Sequence, residues 1–393
     1  MTRKQAPLWA VLAAAGVLLS GCSTVQDQQA ANSAKPSTAA PAAAASADPA
    51  AAAAKGAVEA ATKAAPAFAA PGNALTGVAA VKGKSVYFVP ATYQVPVFQT
   101  VKASLESALT PAGIKLEVCD GKANPSNMAS CIQQAIDAKA GAIVTGSIPE
   151  EIVPVAFDSA RKAGIPIVNT MTAPAGPGDP KLISYLTPNY VAMQALSANW
   201  VIADSGAAAK VLYVEITDTP ATVIWAEQGA LAAYAKGCPK CEVTVVKVNT
   251  GQLDKLPSLV TSELTKNSGI GYVQTEVDFT VQPVAEGLRA ANATSVKIAS
   301  MDGVLATMQL LKGGQFVRSE IGFNADALGW YAADQALRMM SGQPSTPVTF
   351  PYQRMFTADN VGSLTLTPEA EKSGEWYGPT DYRSGFTKLW GLG

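Results

Sequence analysis

Apolar positions along the chain follow two alternating patterns. Short runs of consecutive β-branched and aromatic residues are separated by stretches in which apolar residues return every three or four positions. The first pattern suits a strand buried on both faces, the second an amphipathic helix. The first predicted pair is strand Ser85–Val89 and helix Pro96–Leu109, joined by a corner holding Pro90, Tyr93 and Gln94. Proline suits the first helical position because its missing N–H has no partner to lose there. The pattern repeats in steps of about 25–30 residues, the size of a strand–helix unit. Strand Ile114–Cys119 is followed by a helix opening at Asn124-Pro125-Ser126, and strand Ala142–Thr145 by helix Pro149–Lys162. Strand Ile165–Val168 ends at Asn169-Thr170-Met171-Thr172, and strand Leu182–Leu186 leads through Thr187-Pro188-Asn189 into a helix to Ala203.

A second set starts at Lys210. Strand Val211–Glu215 precedes a helix carrying Trp225 and Tyr234, and strand Glu242–Val248 precedes helix Leu253–Lys266. Strand Ile270–Thr275 ends at Glu276-Val277-Asp278-Phe279, before a helix to Ala291. Strand Lys297–Ser300 ends at Met301-Asp302-Gly303, and strand Val317–Gly322 at Phe323-Asn324, before helix Ala325–Ser341. Val348–Phe356 reads as strand, and the remaining tail as irregular with a short terminal helix. Two such sets predict an α/β fold of two doubly wound parallel-sheet lobes. Right-handed crossovers bring the carboxyl ends of the strands to one rim of each lobe. Ligands of open α/β sheets bind at that rim.

Composition narrows the chemistry. The chain has 393 residues, a formal net charge of −1 and no histidine. This balance speaks against a nucleic-acid partner, which requires clustered Lys and Arg. The missing histidine removes Ser-His-Asp and Cys-His catalysis and His-ligated metal sites. A Ser-Lys enzyme, or a secreted one using paired carboxylates such as Asp278 and Asp302, stays open, but the chain is read as a non-enzyme, with no catalytic residue, metal or cofactor expected.

At the N-terminus Arg3 and Lys4 precede the apolar run Leu8–Leu19, which is too short to span a bilayer and ends in Leu19-Ser20-Gly21-Cys22. This resembles the bacterial lipoprotein lipobox. It implies a signal peptide over residues 1–21, cleavage before Cys22, and a lipid on the Cys22 sulfur. The mature protein would then be exported and anchored through that lipid to the outer face of the cytoplasmic membrane, or on the periplasmic side. Residues 22–77 are rich in Ala and Pro and nearly lack branched aliphatic residues. They bury too little apolar surface to offset their ordering entropy, so a disordered stalk is expected there. The other cysteines, Cys119, Cys131, Cys238 and Cys241, allow three pairings in an exported chain. The expected pairing is local. Cys119–Cys131 would staple a strand–helix corner, and Cys238–Cys241 would close a turn around Pro239 between a helix and a strand. A redox pair would instead sit at a helix N-terminus.

The order of parts resembles the type I periplasmic binding proteins, the ribose- and galactose-binding proteins of ABC importers. The residues that carry the resemblance are Tyr93-Gln94-Val95-Pro96-Val97-Phe98, Ala163-Gly164-Ile165-Pro166-Ile167-Val168, Met301-Asp302-Gly303 and Lys312-Gly313-Gly314-Gln315-Phe316. The resemblance implies two lobes, residues 78–187 with 324–347 and residues 188–323 with 348–393, joined by three crossings and closing on a ligand held between them. It also implies a monomer whose partners are a small, neutral, carbohydrate-related ligand and the membrane subunits of an ABC permease. Asp302 stands where the family pairs a carboxylate with sugar hydroxyls. Tyr93, Val97 and Phe98 stand where it stacks apolar rings, Asp278 and Phe279 near a polar contact of the second lobe, and Asn324 at a hinge contact. Gln94, Asn169, Met171 and Trp225 complete the candidate ligand-binding set. Ribose and galactose binders often carry Asp-Arg after the fourth strand, where this chain has Met171-Thr172. A further Arg is replaced near Trp225 and Ala226. Losing that clamp points to a ligand held more by stacking, or to a less polar one, aromatic or amino-acid-like. A ligand sensor signalling to a membrane kinase is the other reading left open.

Overall fold

The computed structural model describes residues 48–172, 174–218 and 220–393. The signal peptide 1–21, Cys22 and the expected stalk as far as residue 47 lie outside the described residues. Helix α1 (Pro49–Ala61) precedes strands β1 (Ser85–Pro90), β2 (Lys115–Val118), β3 (Ala142–Gly146), β4 (Ile167–Thr170) and β5 (Ile183–Leu186). These strands form a parallel sheet in the order β2-β1-β3-β4-β5, with α2 (Pro96–Leu109), α3 (Pro125–Asp137) and α4 (Pro154–Lys162) as its crossovers. Both faces are covered. In β1, Val86 and Phe88 enter one apolar cluster while Tyr87 and Val89 enter another. This explains the uninterrupted apolar runs in the sequence.

The second sheet comprises β6 (Lys210–Ile216), β7 (Glu242–Val248), β8 (Tyr272–Thr275), β9 (Lys297–Asp302), β10 (Val317–Phe323) and β11 (Gln353–Thr357). Its order is β11-β10-β9-β8-β6-β7, parallel except for the β10–β11 pair. Its helices are α5 (Tyr190–Asp204), α6 (Pro220–Ile224), α7 (Ala232–Gly237), α8 (Leu256–Lys266), α9 (Val281–Ala290) and α10 (Leu305–Lys312). Then come α11 (Ala325–Met340), α12 (Ala358–Val361), α13 (Pro368–Ser373) and α14 (Tyr382–Leu389). Each sheet reverses direction beside its first strand, between β1 and β3 and between β6 and β8. Such switch points open the crevices in which these folds bind ligands. The chain passes between lobes at Thr187–Asn189, at Phe323–Asn324, where α11 returns to pack on α2, β3 and β4, and again before β11.

The structure corrects several sequence expectations. The stalk does not extend to residue 77. From Pro49 the chain is helical and packed, with Ala51, Ala54 and Val58 of α1 buried against α5 and Asp48 paired to Lys240 at 3.0 Å. Small side chains permit that close approach, which composition alone reads as disorder. The chain then runs along the body. Thr62 O accepts from Arg354 Nε (2.8 Å), Phe68 packs on Phe386 (centroids 4.7 Å apart), and Asn73 O accepts from Arg338 Nη1 (3.0 Å). The tail is not irregular, and its end leaves the second lobe, because α14 lies on α11 over the first sheet. Strand Val348–Phe356 shrinks to Gln353–Thr357, since Pro351 has no N–H to donate to a ladder. Pro154 divides the helix expected over Pro149–Lys162 into a 3₁₀ turn and α4. Between α6 and α7 the helix widens into a π segment, Trp225–Leu231.

Cys119–Cys131 and Cys238–Cys241 are joined as expected, with Cα atoms 5.5 and 5.3 Å apart. Among the described residues no helix is long and apolar enough to cross a membrane.

Candidate functional site in the interlobe cleft

The wall on the first lobe begins at the corner after β1. Asp120 Oδ1 accepts the N–H groups of Tyr93 (2.8 Å) and Lys122 (2.9 Å), tying this corner to the one after β2. Gly121 lets the two loops touch: a Cβ there would lie 2.7 Å from Pro90 O, the atom its own N–H donates to. The loop so held turns Val95, Pro96 and Val97 toward the other lobe. After β4, Met171 takes a left-handed backbone (φ 63°) and enters the cleft wall.

The second lobe contributes a cluster of buried acids at the ends of β8, β9 and β10. Asp278 Oδ1 accepts from Ser300 Oγ (2.6 Å), and Oδ2 accepts the Val304 N–H (2.9 Å) at the start of α10. Asp302 Oδ2 accepts the Asp278 N–H (3.2 Å), and Glu320 Oε1 accepts the Gly303 N–H (2.8 Å). Burial raises the pKa of Asp278, Asp302 and Glu320, and the charge of Asp278 raises the latter two further. Asp302 also has φ 137°, a conformation a non-glycine residue holds only where its surroundings impose it. The ring of Tyr377, from the tail, supplies part of that constraint. A Cβ on Gly303 or Gly322 would collide with its hydroxyl, so the two glycines make the slot the tyrosine fills.

Aromatic rings close the hinge side. Tyr190, at the start of α5, stacks on Trp225 (centroids 4.2 Å apart, planes 12° from parallel) and meets Phe323 edge-on at 5.7 Å. Burial, together with the Asp302 charge, pushes the Tyr190 phenol well above its ordinary pKa.

Three cavities meet along these walls. One of about 160 Å³ lies among Val97, Met171, Tyr190, Asp302, Phe323 and Tyr377. A second, about 800 Å³, lies between Val95–Val97 and the Asp278, Phe279, Asp302 and Leu305 side. A third, about 530 Å³, lies beyond the Tyr190–Trp225 stack and reaches Phe350. Among the described residues no group of three or more His, Cys, Asp or Glu side chains is arranged to hold a metal ion.

Met171, Trp225, Asp278, Phe279 and Asp302 therefore line the cleft cavities, while the other candidates do not. Phe98 is buried beneath α2 against Gly146 and Phe88, as its position on the helix's apolar face dictates. Asn169 is fully buried, its Oδ1 accepting from Thr145 Oγ1 and Thr172 Oγ1, both at 3.0 Å. Asn324 caps α11 through the Ala327 N–H (2.9 Å) and reaches Gly374 O and the Tyr382 hydroxyl, so its amide is occupied inside the hinge. Tyr93 and Gln94 stand on the corner without entering any of these walls. Tyr190, Glu320 and Tyr377 were not anticipated. Glu320 shares strand Val317–Phe323 with Arg318 and Ser319, so the sequence does not single it out, and nothing local marks the other two.

A periplasmic binding protein domain model matches residues 86–344, well over half of the chain. The chain belongs to that family. Its fold is similar to an ABC sugar transporter subunit from Rhodobacter sphaeroides, 20% identical with a TM-score of 0.64, covering 71% of this chain and all of that one. A periplasmic solute-binding protein of an ABC transporter from Actinobacillus succinogenes, solved with bound D-allose, is 17% identical with a TM-score of 0.63; the match covers 72% of this chain and 100% of that one. The myo-inositol-binding protein of Caulobacter, solved with myo-inositol, is 20% identical with a TM-score of 0.63, over 71% of this chain and 94% of that one. No curated protein sequence matches the chain. The family match and these folds agree with the two-lobed type I architecture. Residues 48–85 and 345–393 lie outside the family match.

Proposed function

We propose that this protein is the extracytoplasmic solute-binding component of an ABC importer, capturing a small, neutral, carbohydrate-related ligand by closure of its lobes. The observation that carries this reading is the cleft: carboxyl groups of Asp278 and Asp302 on one lobe, and the Tyr190–Trp225 stack beside them. A polyol offers hydroxyl donors to the first and an apolar ring face to the second. Structural neighbours with bound D-allose and myo-inositol support the ligand class. Met171-Thr172 and Trp225, standing where an Asp-Arg pair and an Arg were expected, shift the balance from charge toward stacking. The protein binds its ligand unchanged and hands it to permease subunits. It does so as a monomer anchored through a lipid on Cys22.

A thermal-shift screen against sugars, polyols, nucleosides, amino acids and small aromatics tests the proposal. A ligand at a hundred times its Kd adds about 2.7 kcal/mol of stability. The expected hits are sugars or polyols; hits confined to amino acids or aromatics overturn the ligand class.

A further inference from the structure

The largest of the three cleft cavities is divided by chemistry. Asp278 and Asp302 occupy one part; Gln282, Thr307, Gln309, Gln315 and Glu371 add further polar groups, and most of the remaining exposed lining is apolar, from Val95 and Val97 on the first lobe and Phe279, Val304, Leu305 and Leu310 on the second. Its volume of about 800 Å³ lies toward the upper end of the ~300–1,000 Å³ typical of sites enclosing drug-sized molecules. Beyond the small apolar face of its ring, a free sugar has no apolar portion to fill such a gallery.

A second observation comes from the protein surface. Val95 is 40% exposed and Phe279 46% exposed, and both belong to the short set of large exposed hydrophobic side chains among the described residues. Single exposed apolar residues are ordinary; these two line one cavity from opposite lobes. Hinge closure on a ligand with an apolar part would cover both. Closure on a bare polyol would press them against hydroxyl groups instead.

We infer that the ligand is a glycoside with a flat apolar aglycone, its sugar held at Asp278 and Asp302 and its aglycone between Phe279 and Val95–Val97. This inference rests on the carbohydrate reading above and names the ligand class within it. Phe279 supplies an exposed ring on which a flat group can lie, and the gallery contains no cation to favour an acidic substituent.

Calorimetric titration of the full chain with free hexoses and with their methyl and phenyl glycosides is the test. For at least one sugar, the phenyl glycoside is expected to bind at least tenfold tighter than the methyl glycoside. In Phe279→Ser and in Val95→Ser that ratio is expected to fall toward one. Both side chains are partly exposed, so neither variant endangers the fold. Free sugars binding while phenyl and methyl glycosides bind equally, or not at all, would overturn the aglycone inference and leave the carbohydrate reading standing. A preference that survives both substitutions also overturns it. Failure of every sugar and glycoside to bind overturns the carbohydrate reading itself.

Discussion

Trp225 lies face to face with Tyr190, their ring centroids 4.2 Å apart. The two come from different parts of the chain: Trp225 opens the π segment after α6, and Tyr190 opens α5 at the first crossing between lobes. π turns occur preferentially at functional sites because the extra residue re-aims a side chain. Here the widened helix brings an indole to the hinge ring cluster, beside the cleft.

Trp225→Ala is therefore expected to weaken ligand binding about tenfold, the upper part of what a ring contact contributes beyond its area. Trp225→Phe should restore most of it. Calorimetry on the three proteins checks this, and unchanged affinity in the alanine variant would place the ligand away from the stack.

Glu276 gives a prediction about pH. It is fully buried, Oε2 accepts the Ile216 N–H at 2.6 Å, and Oε1 has no partner. Burial first, then the charges of Glu215 and Asp302, push its pKa from the ordinary 4.5 up to about 9. The folded protein thus keeps a proton that the unfolded chain releases from about pH 4.5 upward. Unfolding releases that proton throughout the window between, so stability falls as pH rises toward about 9. Glu276→Gln mimics the protonated acid and should flatten this slope, matching the wild type in stability below about pH 4.5 and exceeding it near neutral pH. Denaturant titrations at several pH values read the slope directly; an identical slope in the variant would assign it to other groups.

Asn324 separates a hinge role from a ligand role. It caps α11 and bonds to Gly374 O and to Tyr382. Asn324→Ala should cost about 1–2 kcal/mol of stability through the lost cap and the buried partners left behind. Affinity for the ligand should stay within about twofold, a difference below 1 kcal/mol. A large loss of affinity with unchanged melting would return Asn324 to the binding set.

The alternation of strands and helices was legible in the chain because parallel strands covered on both faces leave unbroken apolar runs such as Val86–Val89 and Val211–Val214. The corners followed from those strands, which is why Asp278 and Asp302 could be named. What was not legible depends on contacts distant in sequence. Tyr190 reads as one more apolar residue opening a helix, and only the crossing geometry sets it against Trp225. Asn324 and Phe98 carry side chains that suit a ligand equally well; packing gave one to a helix cap and the other to the core. The Ala-rich stretch before Lys63 has almost no intrinsic reason to order. It is held by α5 and by the tail, which no local pattern shows.

That tail supports the last prediction. Trp390 stacks on Trp330 of α11 (centroids 5.7 Å apart, planes 11° from parallel), and its indole N–H donates to Asp334 Oδ1 at 2.9 Å. Asp334 Oδ2 accepts from Arg338 Nε at 2.8 Å, and Arg338 reaches on to Asn73 O in the N-terminal segment. All three side chains are nearly or fully buried. One tryptophan therefore links both chain segments outside the family match to the helix that covers the first sheet. Trp390→Ala removes a large buried ring and leaves Asp334 short of a donor, with an expected cost of about 3–5 kcal/mol. Asp334→Ala should cost a similar ~3–5 kcal/mol, because the Arg338 charge is then buried without its partner. The double variant should be less destabilised than the sum of the two, since they share one network. Urea unfolding of the four proteins measures this coupling. Strict additivity would mean that the tail is merely laid on α11 and does not belong to the core of the first lobe.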